Sequence, residues 1–127
     1  MLKGWKTEKE LILKKTKNKM EKVKILGMSS EEYPEGRIDS FKVQENKDTF
    51  ENLILCLLNL GFSESVIRTK IDLAFEHNEY VFLYLNKKLR VHIEIDKGNN
   101  SLTIRFDTSL PKRNIVSAME KYFQFPK

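Results

Sequence analysis

The sequence offers few residues for covalent chemistry: one cysteine, two histidines and no Gly-x-Ser-x-Gly motif. Cys56 stands in the apolar run from Leu53 to Leu58, where a thiol is expected to be buried and unreactive. His77 stands near the end of a predicted helix, a position typical of a cap or surface residue. We therefore expect no nucleophilic catalysis.

Metal or acid–base chemistry would have to come from a predicted strand on which His92, Glu94 and Asp96 alternate, with Asp107 across the sheet. Side chains two apart on a strand are about 6–7 Å apart, and such groups more often pair with neighbouring arginines and solvent. The five glycines are too scattered to build a phosphate-binding loop. We expect no catalytic residues, no metal site and no cofactor, and favour a binding protein over an enzyme.

Two groups of residues point to nucleic acid. Lys112 and Arg113 follow Pro111 in the first turn of a predicted helix, where cations oppose the helix dipole. A bound phosphate would relieve that conflict, although solvent screening would do so nearly as well. The second group interleaves aromatic and basic side chains on one predicted sheet face, as needed to stack unpaired bases and hold phosphates. Its members are Tyr80, Phe82, Tyr84, Arg90, His92 and Arg105. The alternative is that the N-terminal helix or a second subunit covers these aromatics.

Charge divides the chain into three parts. Residues 1–24 carry nine lysines and three glutamates, residues 25–50 carry six acids and three bases, and residues 51–127 carry eleven bases and nine acids. The net charge of +5 is therefore mostly N-terminal. A basic arm can hold a phosphate backbone without sequence preference, and the alternative is a solvated helix or tail. The lysines concerned are Lys14, Lys15, Lys17 and Lys19.

Periodicity and capping residues predict the elements outside the centre of the sheet. A helix is predicted from Trp5 to about Lys22, then strands over 23–28 and 37–44 separated by an acidic loop. An apolar helix capped by Asp48 or Thr49 ends at Gly61. The next helix follows Ser63, with its inward residues predicted as Val66, Ile67, Ile71, Ala74 and Phe75. The last helix opens at Pro111, with its apolar face predicted as Ile115, Val116, Met119, Tyr122 and Phe123.

Residues 80–107 alternate with period two, which predicts a three-stranded meander. A turn at Gly98-Asn99 pairs apolar with apolar residues and sets His92 opposite Arg105 and Arg90 opposite Asp107. The face of the first strand depends on the loop that follows it. A two-residue loop would bury Tyr80, Phe82 and Tyr84, whereas a three-residue loop over 86–88 turns Val81, Leu83 and Leu85 inward. We predict the second arrangement.

Strands and helices are segregated along the chain, which predicts an α+β fold in the order α-ββ-αα-βββ-α. We expect a basic N-terminal helix or arm over 1–24 and one domain over 25–127, with an antiparallel sheet of three to five strands. The longest apolar run is too short to cross a membrane, and a single cysteine fits the cytoplasm. We predict a small non-catalytic protein that binds nucleic acid backbone through the arm and the start of the last helix. A protein-interaction or homodimerisation module is the alternative.

Overall fold

The computed structural model describes residues 21–77 and 80–126, in which three helices pack against one sheet. The strands are β1 (Val23–Tyr33), β2 (Gly36–Gln44), β3 (Tyr80–Asn86), β4 (Leu89–Asp96), β5 (Ser101–Thr108) and β6 (Phe123–Gln124). The helices are α1 (Thr49–Asn59), α2 (Glu64–His77) and α3 (Lys112–Glu120), and a short 3-10 turn spans Lys97–Asn99. The predicted helix before Val23 lies outside the described residues, apart from its last two positions, which precede β1.

The strand order across the sheet is β3-β4-β5-β2-β1-β6, and the sheet curls into a half-barrel. Neighbouring strands are antiparallel except for β6, which runs parallel to β1 with Val23 opposite Phe123. One face of the sheet and the three helices share a single apolar core. Its largest fully buried side chains include Phe106, Phe123, Leu53, Ile54, Leu57, Ile67, Ile71 and Ile104.

The prediction of an antiparallel sheet of three to five strands is wrong, because the sheet has six strands and is partly parallel. The difference arises at the end of α3. Tyr122 and Phe123 continue the helical spacing of Ile115 and Met119, but the helix ends at Glu120 and Phe123 starts β6. Burial of Phe123, which is 1% exposed, and pairing with β1 outweigh the local helical pattern.

The β1–β2 hairpin is longer than the sequence indicates. The predicted acidic loop is mostly strand, because β1 continues to Tyr33 and only Pro34 and Glu35 form the turn. Residues 28–33 are exposed, so this half of the strand lacks the apolar alternation that marks a strand packed on a core. Its ladder with β2 is nevertheless complete from Met28 to Tyr33.

Helices α1 and α2 have the predicted positions, with two local corrections. Asp48 precedes α1 without a side-chain capping bond, whereas the buried Thr49 hydroxyl accepts from the Asn46 N–H at 2.9 Å. Gly61 ends the segment with a φ of +108°, a conformation that favours glycine. Val66 does not face inward as predicted, since it is 50% exposed at the start of α2.

The meander over β3, β4 and β5 has the predicted register, with Ile95 opposite Leu102 and Ile93 opposite Ile104. The β3–β4 turn contains two residues, Lys87 and Lys88, instead of the predicted three. A bulge between Tyr84 and Asn86 leaves Leu85 unpaired and so supplies the third residue. This bulge preserves the predicted faces, so Val81 and Leu83 are buried while Tyr80, Phe82 and Tyr84 remain exposed.

Candidate nucleic-acid interface

The strand register arranges the outward side chains of β3, β4 and β5 in rows. One row contains Tyr84, Arg90 and Asp107, and the next contains Phe82, His92 and Arg105. Both cross-strand pairs predicted from the sequence, His92 with Arg105 and Arg90 with Asp107, are present. The six residues Tyr80, Phe82, Tyr84, Arg90, His92 and Arg105 are called the aromatic face below.

Three aromatic side chains line the β3 edge of this face. Tyr80, Phe82 and Tyr84 are 63%, 54% and 60% exposed in the described fold. The His92 ring packs edge-on against Tyr80, at 4.8 Å between ring centroids, and against Phe82, at 6.0 Å. The rings therefore form one exposed platform, and a row of rings of this kind is suited to stacking of unpaired bases.

The two arginines of the aromatic face are held by acids on the neighbouring strand. Arg90 pairs with Asp107 at 3.1 Å, and Arg105 pairs with Glu94 at 3.3 Å. Tyr33 also donates a hydrogen bond to Asp107, which raises the pKa of the Tyr33 hydroxyl. A phosphate on this face must therefore compete with carboxylates, so the aromatic face by itself is a weak site for anions.

Exposed cations from two segments of the chain lie at one end of the same strands. The Lys88 carbonyl accepts from the Ser109 N–H at 3.2 Å and from the Thr108 hydroxyl at 2.6 Å. These bonds fix the β3–β4 turn against the loop that leads into α3. The turn and the helix start together present four exposed cations, here called the basic corner: Lys87, Lys88, Lys112 and Arg113.

Charge at the basic corner is not neutralised locally. Within 21–77 and 80–126, none of the four cations has a carboxylate at ion-pair distance. The first turn of α3 contains no acidic residue, and Pro111 precedes it in an extended conformation. The free N–H groups of this turn add a partial positive charge to that of the side chains. The corner therefore has the electrostatic character of an anion-binding surface.

Sequence reasoning identified Lys112 and Arg113 but missed the two turn lysines. The sequence indicates only that Lys87 and Lys88 lie in a loop, because nothing local relates them to a helix 24 residues further on. The predicted pairing of β4 with β5 held the relevant signal, since it puts Leu89 opposite Thr108. An open groove of about 600 Å³ continues from the corner along α3, lined by Asn59, Leu60, Leu110, Arg113, Asn114 and Ser117.

Cys56 and Asp96, two other residues with reactive side chains, have structural positions in the fold. Cys56 is fully buried, and burial raises its pKa to about 12. Asp96 accepts hydrogen bonds from the Asn99 side chain and backbone, which lower the pKa of Asp96 and fix the β4–β5 turn. In the part of the chain that the structure describes, no group of three or more His, Cys, Asp or Glu residues could hold a metal ion. Lys14, Lys15, Lys17 and Lys19 lie outside the described residues.

Comparison with known proteins identifies no relative. No protein-family model matches the chain, and searches of curated proteins and of solved structures find no match either. None of the described helices combines the length and apolar character needed to cross a bilayer.

Proposed function

We propose that this chain is a non-catalytic nucleic-acid-binding protein that prefers single strands. The observation that carries the proposal is the position of the basic corner at the end of the exposed aromatic row, with four cations that have no ion-pair partner among the described residues. Tyr84 ends that row two residues before Asn86 and the Lys87-Lys88 turn. One bound strand can therefore contact rings and cations together.

The two surfaces have different roles in this proposal. Lys87, Lys88, Lys112 and Arg113 hold phosphates, together with the N–H groups at the start of α3. Unpaired bases stack on Tyr80, Phe82 and Tyr84, which a duplex cannot supply without opening. Arg90 and Arg105 lie beside the stacked bases and contact the backbone only where they exchange carboxylate for phosphate. His92 packs edge-on against Tyr80 and Phe82 and so extends the stacking surface. The four lysines Lys14, Lys15, Lys17 and Lys19 add attraction without sequence preference.

Fluorescence anisotropy of the full chain with labelled single-stranded DNA, single-stranded RNA and duplexes, over a salt series, tests the proposal. The double variant Lys112→Ala with Arg113→Ala is expected to weaken binding and to reduce the salt slope by about one unit per lost phosphate contact. Single strands are expected to bind more tightly than duplexes.

The matched control removes the same charge at the opposite end of the sheet. Lys47 and Lys97 are both exposed and lie in loops joined by the Glu45 N–H to Asn100 carbonyl bond at 2.7 Å. Lys47→Ala with Lys97→Ala is expected to leave the affinity and the salt slope nearly unchanged. Equal losses in both double variants would show that net charge alone holds the ligand, and unchanged binding in the first would remove the basic corner from the site.

A further inference from the structure

Strand β3 lies at one edge of the sheet, and no described strand pairs with its outer side. It has no charged residue, no proline and no glycine over its seven residues. Natural edge strands are usually protected by charges, prolines or bulges, because an unprotected edge pairs with another strand. In β3 the only irregularity is the bulge at its far end, between Tyr84 and Asn86.

The free edge consists of the backbone groups of alternate residues. The Phe82 carbonyl accepts from the Lys70 ammonium of α2 at 3.5 Å, so the Phe82 backbone faces outward from the sheet. Because both backbone groups of a residue in an antiparallel strand point the same way, and alternate along it, those of Tyr80 and Tyr84 face outward as well. The Lys70 contact is long and exposed, and a strand that approaches this edge can displace it.

The edge sequence is self-complementary. Residues 80–84 read Tyr, Val, Phe, Leu, Tyr, which is symmetric in residue class about Phe82. We infer that β3 pairs with β3 of a second copy of this chain, antiparallel and centred on Phe82. That register sets Tyr80 against Tyr84 of the second copy and Val81 against its Leu83, so aromatic residues meet aromatic ones and aliphatic residues meet aliphatic ones.

Charge and apolar area outside β3 favour the same partner. In the joined sheet, Glu94 of one copy and Arg90 of the second copy lie in one row, separated by Tyr80 of the first copy and Tyr84 of the second. No like charges face each other within β3. On α2, Val66 and Leu73 are 50% and 53% exposed and lie one turn either side of Lys70, the residue that reaches the β3 edge. These side chains enlarge the contact toward the roughly 800 Å² per partner that stable interfaces need.

The dimer does not depend on the proposed function. Edge pairing uses backbone groups in the plane of the sheet, whereas the aromatic side chains stand perpendicular to that plane and remain accessible. Pairing would place two aromatic faces side by side on one continuous sheet.

Sedimentation velocity of the full chain without nucleic acid, over a concentration series, tests the inference. Wild type is expected to show a monomer–dimer equilibrium. Tyr80→Lys with Tyr84→Lys places like charges opposite each other twice, and is expected to raise the dimer dissociation constant by about 100-fold or more. Tyr80→Lys with Tyr84→Glu has the same number of new charges in complementary positions, and is expected to stay dimeric.

The paired variants separate register from general polarity, and circular dichroism checks that both retain the wild-type fold. Equal association of the two variants would overturn the register. A wild-type monomer at every soluble concentration would overturn the dimer. Protection of the outward-facing amides of Tyr80, Phe82 and Tyr84 from hydrogen exchange in that monomer would identify another segment of the chain as the cover. None of these outcomes alters the result expected for Lys112 and Arg113, so failure of the dimer and failure of nucleic-acid binding are distinguishable.

Discussion

Individual residues in the core are held by burial more than by polar partners. Cys56 is 0% exposed in α1, and its thiol lies 3.7 Å from the Met119 sulfur of α3. Burial disfavours the thiolate and raises the pKa of Cys56 from 9.0 to about 12. The thiol is therefore a small apolar side chain of the α1–α3 contact and is unreactive while the protein is folded.

This pKa difference predicts a loss of stability at alkaline pH. Above about pH 9 the unfolded chain loses the Cys56 proton that the folded chain keeps until about pH 12. The free energy of unfolding therefore falls as the pH rises through this window, by at most about 1.4 kcal/mol per pH unit, and this term is constant below it.

Urea denaturation of wild type and Cys56→Ala at several pH values measures the effect. The variant is expected to be less stable at neutral pH, and the difference between the two proteins should narrow by about 1 kcal/mol near pH 10. Tyr122, whose pKa burial also raises, titrates in both proteins and largely cancels in the comparison. A difference that does not change with pH would contradict the assignment.

At the level of elements, the outer half of the β1–β2 hairpin is held by polar contacts, since none of the three described helices covers residues 28–33. Asp39 is 1% exposed and accepts from the Ser30 hydroxyl at 2.7 Å and from the Arg37 Nε at 2.9 Å. Arg37 also donates to the Leu110 carbonyl, next to the basic corner. The hairpin therefore positions the loop before α3 through a buried, hydrogen-bonded ion pair.

Close packing of this hairpin against β5 predicts that two glycines of the hairpin differ in how well they tolerate alanine. A Cβ added at Gly36 would lie 2.7 Å from the Thr108 carbonyl oxygen, so Gly36→Ala must push backbone atoms apart. We expect a loss of about 1–3 kcal/mol in the free energy of unfolding. Gly27→Ala in β1 meets no atom within 4 Å and should change stability by less than about 0.5 kcal/mol. Urea titration of both variants checks this, and equal effects would contradict the contact at Gly36.

At the scale of the whole molecule, the two ends of the described chain meet at β1 and β6. Phe123 of β6 is 1% exposed within the common core and lies opposite Val23. Asn52 of α1 donates to the carbonyls of Tyr122 and Glu21, at 2.8 and 3.1 Å, and so joins both ends to the helix layer. Closure of the sheet at this edge therefore depends on contacts between distant parts of the sequence.

Truncation of the β6 aromatic is expected to destabilise the whole fold. Phe123→Ala should lower the free energy of unfolding by about 3–5 kcal/mol, because a fully buried ring is replaced by a cavity. Phe125→Ala is the control, since this ring is only partly buried, at 6.0 Å edge-on from Phe41, and should cost clearly less. Thermal and urea denaturation measure both variants. A Phe123→Ala protein as stable as Phe125→Ala would show that β6 does not close the core.

The aromatic half of the candidate site could be predicted from sequence, and the basic half only in part. Alternation and loop length predict which β3 side chains are exposed and which residues face His92 and Arg90. Prediction of the basic corner also requires knowledge of the contact between the Lys88 carbonyl and the Ser109 N–H, which no local sequence pattern encodes.

The sequence alone determined the meander, the register of β4 with β5 and the burial of Cys56. It left two possible faces for β3, and the bulge between Tyr84 and Asn86 decided that the aromatic row is exposed. Period-two alternation, turn residues and an uninterrupted apolar run act over a few residues, and each selects one local geometry. Only the tertiary structure decided the pairing of β2 with β5, the parallel β6 and the joining of Lys87 and Lys88 to the start of α3. These depend on contacts between segments far apart in sequence, where core burial and backbone pairing outweigh the preference of the local sequence.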